Sequence, residues 1–276
     1  MRRVGLHLRI QDSLYELVQM ALLLNLTSFQ SFLTLKSSGI FFEPLDEDCK
    51  QFNILREQHN LIFYAHASYF SNPSKCGNAY HALLKKELEY VQKLGATCLI
   101  LHPGSALRCS QFNDGVDALA RTLNKIMKRY QNVTIVLENI PHGPPSIGGN
   151  MHNFFAVLQK LEFPEKIRFC IDTAHAFAFG YDISTKKGIR TFMDELDSTI
   201  GLQRIMLIHF NDLGKKCGSK IDEHAFVGEG MIGLEPLLFL VNSSELKHVP
   251  LIIEPPAMSF DTLKEKYDSL KIKINT

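Results

Sequence analysis

The 276-residue chain has no apolar run near the roughly 18 residues that argue for a membrane span, no excess charge of either sign, no Cys-x-x-Cys pair and no low-complexity tract. Each lack removes a class. The longest candidate span, residues 17–26, is interrupted by Gln19 and Asn25 and reads as a buried helix. Thirty Lys and Arg against 29 Asp and Glu leave a net charge of +1, without the basic field of many nucleic-acid binders. Bound cations would add local positive charge that this count omits. The six cysteines, at 49, 76, 98, 109, 170 and 217, read as free thiols in a reducing intracellular compartment, cytoplasm or nucleus. The start MRRVGLHLRI enters a strand-like run with no cleavage site, so no secretory signal is expected. With 19 Phe and 45% hydrophobic residues the chain can bury one large core, which argues against disorder.

What is present is an alternation. Short apolar runs at 4–10, 26–33, 60–67, 97–101, 133–137, 167–171, 204–208 and 249–253 are nearly continuous in hydrophobicity. Strands buried on both faces, as in parallel sheets, look like this. Helix patterns lie between them, at 80–94 and 116–130 for example; the second sets Val116, Leu119, Ala120, Leu123 and Ile126 near one face. Eight such units predict an α/β fold, a single (β/α)8 TIM barrel over residues 1–276 with no interdomain linker. The Pro/Gly-rich stretch 142–150 is a loop, too short to divide domains.

The strand ends carry the chemistry. IFYAH ends at His66, LILH at His102, TIVLE at Glu138, FCID at Asp172, IMLIH at His209 and LIIE at Glu254. Successive spacings are 36, 36, 34, 37 and 45 residues, and the longest interval also holds Asp222 and His224. His175 follows Asp172 by three positions. C-terminal strand ends of a barrel converge on one mouth, so these residues meet. One such residue would be a cap or a solvated loop residue; six in succession are a constellation. Five imidazoles and four carboxylates at close quarters need cations to offset their repulsion. The carboxylates carry −4, so two divalent ions neutralise them and three leave +2, which suits an anionic phosphodiester. A His-rich set without thiols favours zinc over magnesium and argues against a finger-type structural site. Of the other histidines, His7 reads as a core residue of the first strand and His142 as a candidate substrate contact. His59, His81, His152 and His248 read as surface residues.

With FYAHASY, ILHPGS, VLEN, CIDTAHAFAFGYD, HFNDLGKKCGSKIDEH and VGEGMIG in this order and spacing, the chain resembles the endonuclease IV family of apurinic/apyrimidinic (AP) endonucleases along nearly its whole length. The resemblance implies three zinc ions per chain. His66, His102 and Glu138 would hold the first; Glu138, Asp172, His209 and Glu254 the second, with Glu138 bridging; His175, Asp222 and His224 the third. It further implies hydrolysis of the phosphodiester 5′ to an AP site, giving a 3′-hydroxyl and a 5′-deoxyribose phosphate, with trimming of 3′ blocking groups. Glu138 and Glu254 would be catalytic, the nucleophile being water activated by the metals. The partner would be damaged double-stranded DNA, bound by a monomer away from any membrane. Tyr69 and Phe70 would wedge into the stack where the lesion is extruded. Two loops depart from the family pattern: LTLKSSGIF offers Lys36 where an Arg is usual, and NIPHGPPSIGG replaces the usual Gly-rich loop. A metal-dependent sugar isomerase or epimerase of the xylose-isomerase-like barrels is the enzymatic alternative, with fewer metals and no use for Asp222 and His224. A module that binds AP sites without cutting is the non-enzymatic one, and an incision assay separates it.

Overall fold

The computed structural model describes residues 2–35, 40–76 and 82–275. Eight parallel strands close into a barrel: β1 (Val4–His7), β2 (Ser28–Phe32), β3 (Ile62–His66), β4 (Cys98–Leu101), β5 (Thr134–Glu138), β6 (Arg168–Asp172), β7 (Ile205–His209) and β10 (Leu251–Ile253). They follow one another around the wall, and β10 returns to pair with β1. Each barrel strand lies within, or one residue beyond, a run recognised in the sequence.

Alternation of side chains along each strand separates two apolar layers. Tyr64, Cys98, Ile100, Val136, Cys170, Leu207 and Ile252 fill the lumen as a small cluster of their own. The outward residues, such as Leu99, Leu101, Ile135 and Leu137, join the large core under the helices. Helix α4 (Phe112–Arg129) buries Val116, Leu119, Ala120, Leu123 and Ile126 against the wall, the stripe its sequence sets out. The Asp114 carboxylate closes its first turn by accepting the Gln111 N–H at 2.9 Å.

Three features differ from the sequence reading. The apolar stretch 17–26 is not one helix: α1 (Leu14–Leu23), capped by Ser13, stops there, and Asn25 at φ 51° turns the chain toward β2. Asn tolerates that left-handed geometry, which breaks the helical repeat. A two-stranded antiparallel ribbon, β8 (Asp212–Leu213) with β9 (His224–Ala225), stands between β7 and β10. Lastly, Cys76 and Cys109 form a disulfide with Cα atoms 5.1 Å apart, while Cys49, Cys98, Cys170 and Cys217 are free. The free-thiol reading therefore fails for two of the six. The loops after β3 and β4 are neighbours at the mouth, a proximity that a separation of 33 residues does not announce.

Candidate metal centre

The barrel delivers the nine candidates to one place. His66, Glu138, Asp172 and His209 are the last residues of β3, β5, β6 and β7, and His102 and Glu254 directly follow β4 and β10. Asp172 also caps the short helix α6 (Thr173–Phe179) by accepting the His175 N–H at 2.7 Å, which seats His175 in the first turn. His224 comes in from the side on β9 with Asp222 just before it. The turn beyond them is gathered on the Asp212 carboxylate, which accepts N–H bonds from Gly228, Gly230, Ile232 and Gly233 at 3.0–3.2 Å. A Cβ on Gly230 would lie 2.4 Å from Asp212 Oδ1, so only glycine fits there. The Gly228-Glu229-Gly230 turn thus braces the ribbon that carries His224.

Glu138 is the hub. Its Oε2 lies 2.8 Å from His66 Nε2 and 3.0 Å from His102 Nε2, and its Oε1 lies 2.8 Å from His209 Nδ1. Asp222 links His175 Nε2 at 3.2 Å with His224 Nε2 at 3.0 Å. Donor atoms of Glu138, Asp172, His209 and Glu254 fall within 4.8 Å of one another, as do those of Asp172, His175 and His224. No cysteine enters such a group among the described residues.

A second ring of polar residues aims these ligands, and the sequence reading missed it. His66 Nδ1 lies 2.7 Å from the Ala67 carbonyl and His175 Nδ1 2.8 Å from that of Asn139. Donating there, each ring turns Nε2 toward the centre. Gln30, inside β2, accepts from His209 Nε2 through Oε1 and donates to Glu254 through Nε2, both at 2.8 Å. Asn211 donates to Asp172 Oδ2 at 2.6 Å and to Glu254 Oε2 at 3.2 Å. His7 stands beside this ring, its Nδ1 3.2 Å from Glu254 Oε1, so it belongs to the mouth more than to the core. Partners of this kind fix the tautomer and orientation of metal ligands. The available signal was a polar residue inside an apolar strand (Gln30) and amides one or two positions after a ligand (Asn139, Asn211).

Electrostatics favour a cation here. Burial lowers His102 below its ordinary value despite the nearby Glu138 carboxylate. Burial would lower His175 as well, but Asp172 and Asp222 lift it to about 10. Asp222 and Asp172 likewise lift His224 to about 9 against burial. Burial would raise Glu138, yet His209 and His102 hold it well below the carboxylate range. Burial wins at Asp172, which is raised. The inner carboxylates thus depend on imidazolium protons for positive charge. A divalent ion supplies the same charge and uses the lone pairs, so metal uptake and proton release are linked. The donor set fits such ions: the buried Nε2 atoms of His102 and His224 have no hydrogen-bond partner, although carboxylate oxygens lie 3.0 Å away. Lone pairs that close want a proton or a metal between them.

The proposed DNA contacts lie at the rim. Tyr69 is 57% and Phe70 79% exposed, so neither packs beneath its loop. Tyr69 leans edge-on against Phe32 and His102, with ring centroids 4.9 and 5.0 Å away. Lys36 lies outside the described residues. His142 Nδ1 is 3.1 Å from the Lys220 carbonyl, tying the loop after β5 to the segment before Asp222.

The model of a family described as xylose isomerase-like TIM barrel matches residues 21–272. A protein of Thermotoga maritima named probable endonuclease 4 is 30% identical over 263 residues, covering 93% of this chain and 91% of that protein. Apurinic-apyrimidinic endonuclease 1 of Schizosaccharomyces pombe is 31% identical over 214 residues, covering 76% of this chain and 62% of that one. The crystal structure of endonuclease IV from Thermus thermophilus superposes with a TM-score of 0.82 at 27% identity, covering 98% of this chain and 97% of that chain.

Proposed function

Since the chain belongs to the endonuclease IV family of AP endonucleases, we propose that it repairs duplex DNA by hydrolysing the phosphodiester 5′ to an AP site. The products are a 3′-hydroxyl and a 5′-deoxyribose phosphate, and the same site trims 3′ blocking groups. The observation that carries this reading is the hub at Glu138, with imidazoles of three strands around one buried carboxylate.

Three zinc ions in the grouping the family resemblance implies would have Glu138 common to two of them; of the implied sets, Glu138, Asp172, His209 and Glu254 have donor atoms within 4.8 Å of one another. When bound, the metals would supply an activated water at neutral pH and positive charge for the phosphate oxygens. The chain's own work is placement. Gln30 and Asn211 hold Glu254, His209 and Asp172 in fixed orientations, so little reorganisation accompanies the reaction. Glu254, its side chain 13% exposed at the mouth, is positioned to orient the attacking water, and Glu138 keeps the inner charges together. Tyr69 and Phe70 fill the gap left by the extruded lesion. Residues 1–276 act as one catalytic unit, as a monomer. Among the described residues no helix is long and apolar enough to cross a membrane.

The test is incubation with a duplex carrying one AP-site analogue, with the product ends mapped, alongside elemental analysis of protein purified without chelator. Cleavage 5′ to the lesion and about three zinc ions per chain are expected. A single bound metal with sugar-isomerising activity and no incision would overturn the reading in favour of the isomerase alternative.

A further inference from the structure

Beside the ligand cluster, a cavity of about 300 Å³ is lined by Arg9, Phe32, Tyr69, His224, Glu254 and Pro255, among others. Arg9 is the arginine on this wall. Arg2, Arg3, Arg56, Arg168 and Arg204 each donate to backbone carbonyls. Arg9, in the segment after β1, is half-buried, and its buried Nε has no hydrogen-bond partner. Its guanidinium lies over the Phe32 ring, 4.9 Å from the centroid. Glu254, on the same wall, is engaged elsewhere, by Gln30, Asn211 and His7. A half-buried guanidinium left without an acceptor is a group waiting for one, since polar groups at such depth are ordinarily satisfied.

The place and the chemistry agree on which acceptor. Phe32 packs against His66 with ring centroids 4.7 Å apart and against Tyr69 at 4.9 Å, so the stacked guanidinium sits one ring away from the ligand cluster. The guanidinium lies over the Phe32 ring on the cavity wall, and its planar N–H fork is of a kind suited to two oxygens of one phosphate. We propose that Arg9 is a substrate-binding residue that holds a backbone phosphate of the damaged strand next to the scissile one, and so sets the register of the strand in the mouth. This rests on the AP-endonuclease reading above.

The experiment measures binding and cutting separately, on duplexes with one AP-site analogue and with a single methylphosphonate placed in turn at each phosphate flanking the scissile one. For Arg9→Gln the slope of log affinity against log salt should fall by about one, with roughly tenfold weaker binding and unchanged zinc content. Arg9→Lys should restore the slope without restoring full affinity, because an ammonium keeps the charge but not the fork. One methylphosphonate position should weaken wild-type binding by a similar factor and leave Arg9→Gln unaffected; that position is the phosphate Arg9 holds. If the salt slope of Arg9→Gln equals that of wild type, or if the losses multiply at every position, the proposal is overturned. If wild-type protein binds but does not cut, the functional reading fails, and the binding slopes still decide for or against Arg9.

Discussion

Two buried carboxylates near the mouth, Glu138 and Glu87, have opposite surroundings. Both are shut off from solvent, at 1% and 0% exposure. Glu138 is ringed by His66, His102, His209 and His175; burial would raise it, but His209 and His102 hold it well below the carboxylate range. Glu87 lies on helix α3 (Ala82–Lys93), among the buried Leu84, Leu88 and Val91. Among the described residues it accepts the Ser68 N–H at 2.6 Å and the Ser71 hydroxyl at 3.0 Å. Burial pushes it up to about 7, and these two bonds only moderate the rise. Burial is common to both, so the neighbours decide. One carboxylate is built to share cations; the other is a strut, about half protonated at pH 7, beneath the loop that carries Tyr69 and Phe70.

The largest effect should come from breaking the charged member of the pair. Glu138→Gln keeps the shape but removes the counter-charge of the imidazoles on either side. Incision of an AP-site duplex should fall at least about 1000-fold, which corresponds to about 4 kcal/mol, while circular dichroism reports an intact barrel. Zinc content should fall in the same preparation. Turnover near that of wild type would break the comparison at once, since Glu138 would then be no more of a hub than Glu87.

The loop over Glu87 gives a smaller and more selective effect. Replacing Tyr69 and Phe70 together by Ala should weaken cleavage of duplex substrate about 30-fold, or about 2 kcal/mol, because wedges offset the cost of unstacking. A small phosphodiester that needs no extrusion should be cleaved nearly as before, with zinc content unchanged. If both activities fall together, the two rings support the His66 segment and take no part in handling DNA.

The two regions also differ in how legible they were in the sequence. Parallel strands buried on both faces read as continuous apolar runs, so the barrel and its ends were visible. Because those ends converge by construction, so was the company that His66, His102, Glu138, Asp172, His209 and Glu254 keep. Asp222 and His224 were placed by resemblance; the two-residue strands that carry His224 leave no periodic signal. Gln30 lies in SFQSF between Ser28 and Ser31, where one more polar residue is a mark too slight to read without the register that sets it beside His7. Arg9 looked like an ordinary charge, and its lack of a partner exists only in three dimensions. The Cys76–Cys109 bridge joins two loops whose adjacency depends on the closed wall. Glu87 falls at a buried position of the α3 stripe, where a carboxylate is out of keeping, but its serine partners belong to another element.

The smallest effect tests whether Glu87 is the strut described. Its pKa in the fold, about 7, lies above the ordinary value of 4.5, so between those values the folded state binds more protons than the unfolded one. Stability therefore falls as pH rises through that window and levels off above it. Glu87→Gln has no proton to lose and keeps an acceptor for the Ser68 N–H. The difference in unfolding free energy between wild type and Glu87→Gln, from urea titrations at matched zinc, isolates this group because the ligand cluster is common to both. Near pH 5 the two should be almost equally stable. Near pH 8 the Gln protein should be the more stable, by on the order of 3 kcal/mol at most, the free energy of moving the ionisation from 4.5 to about 7. A gap that stays constant with pH, or that opens as pH falls, would mean that Glu87 is ionised throughout. Its serine contacts would then stabilise charge as well as the imidazoles stabilise Glu138, and the contrast between the two carboxylates would be lost.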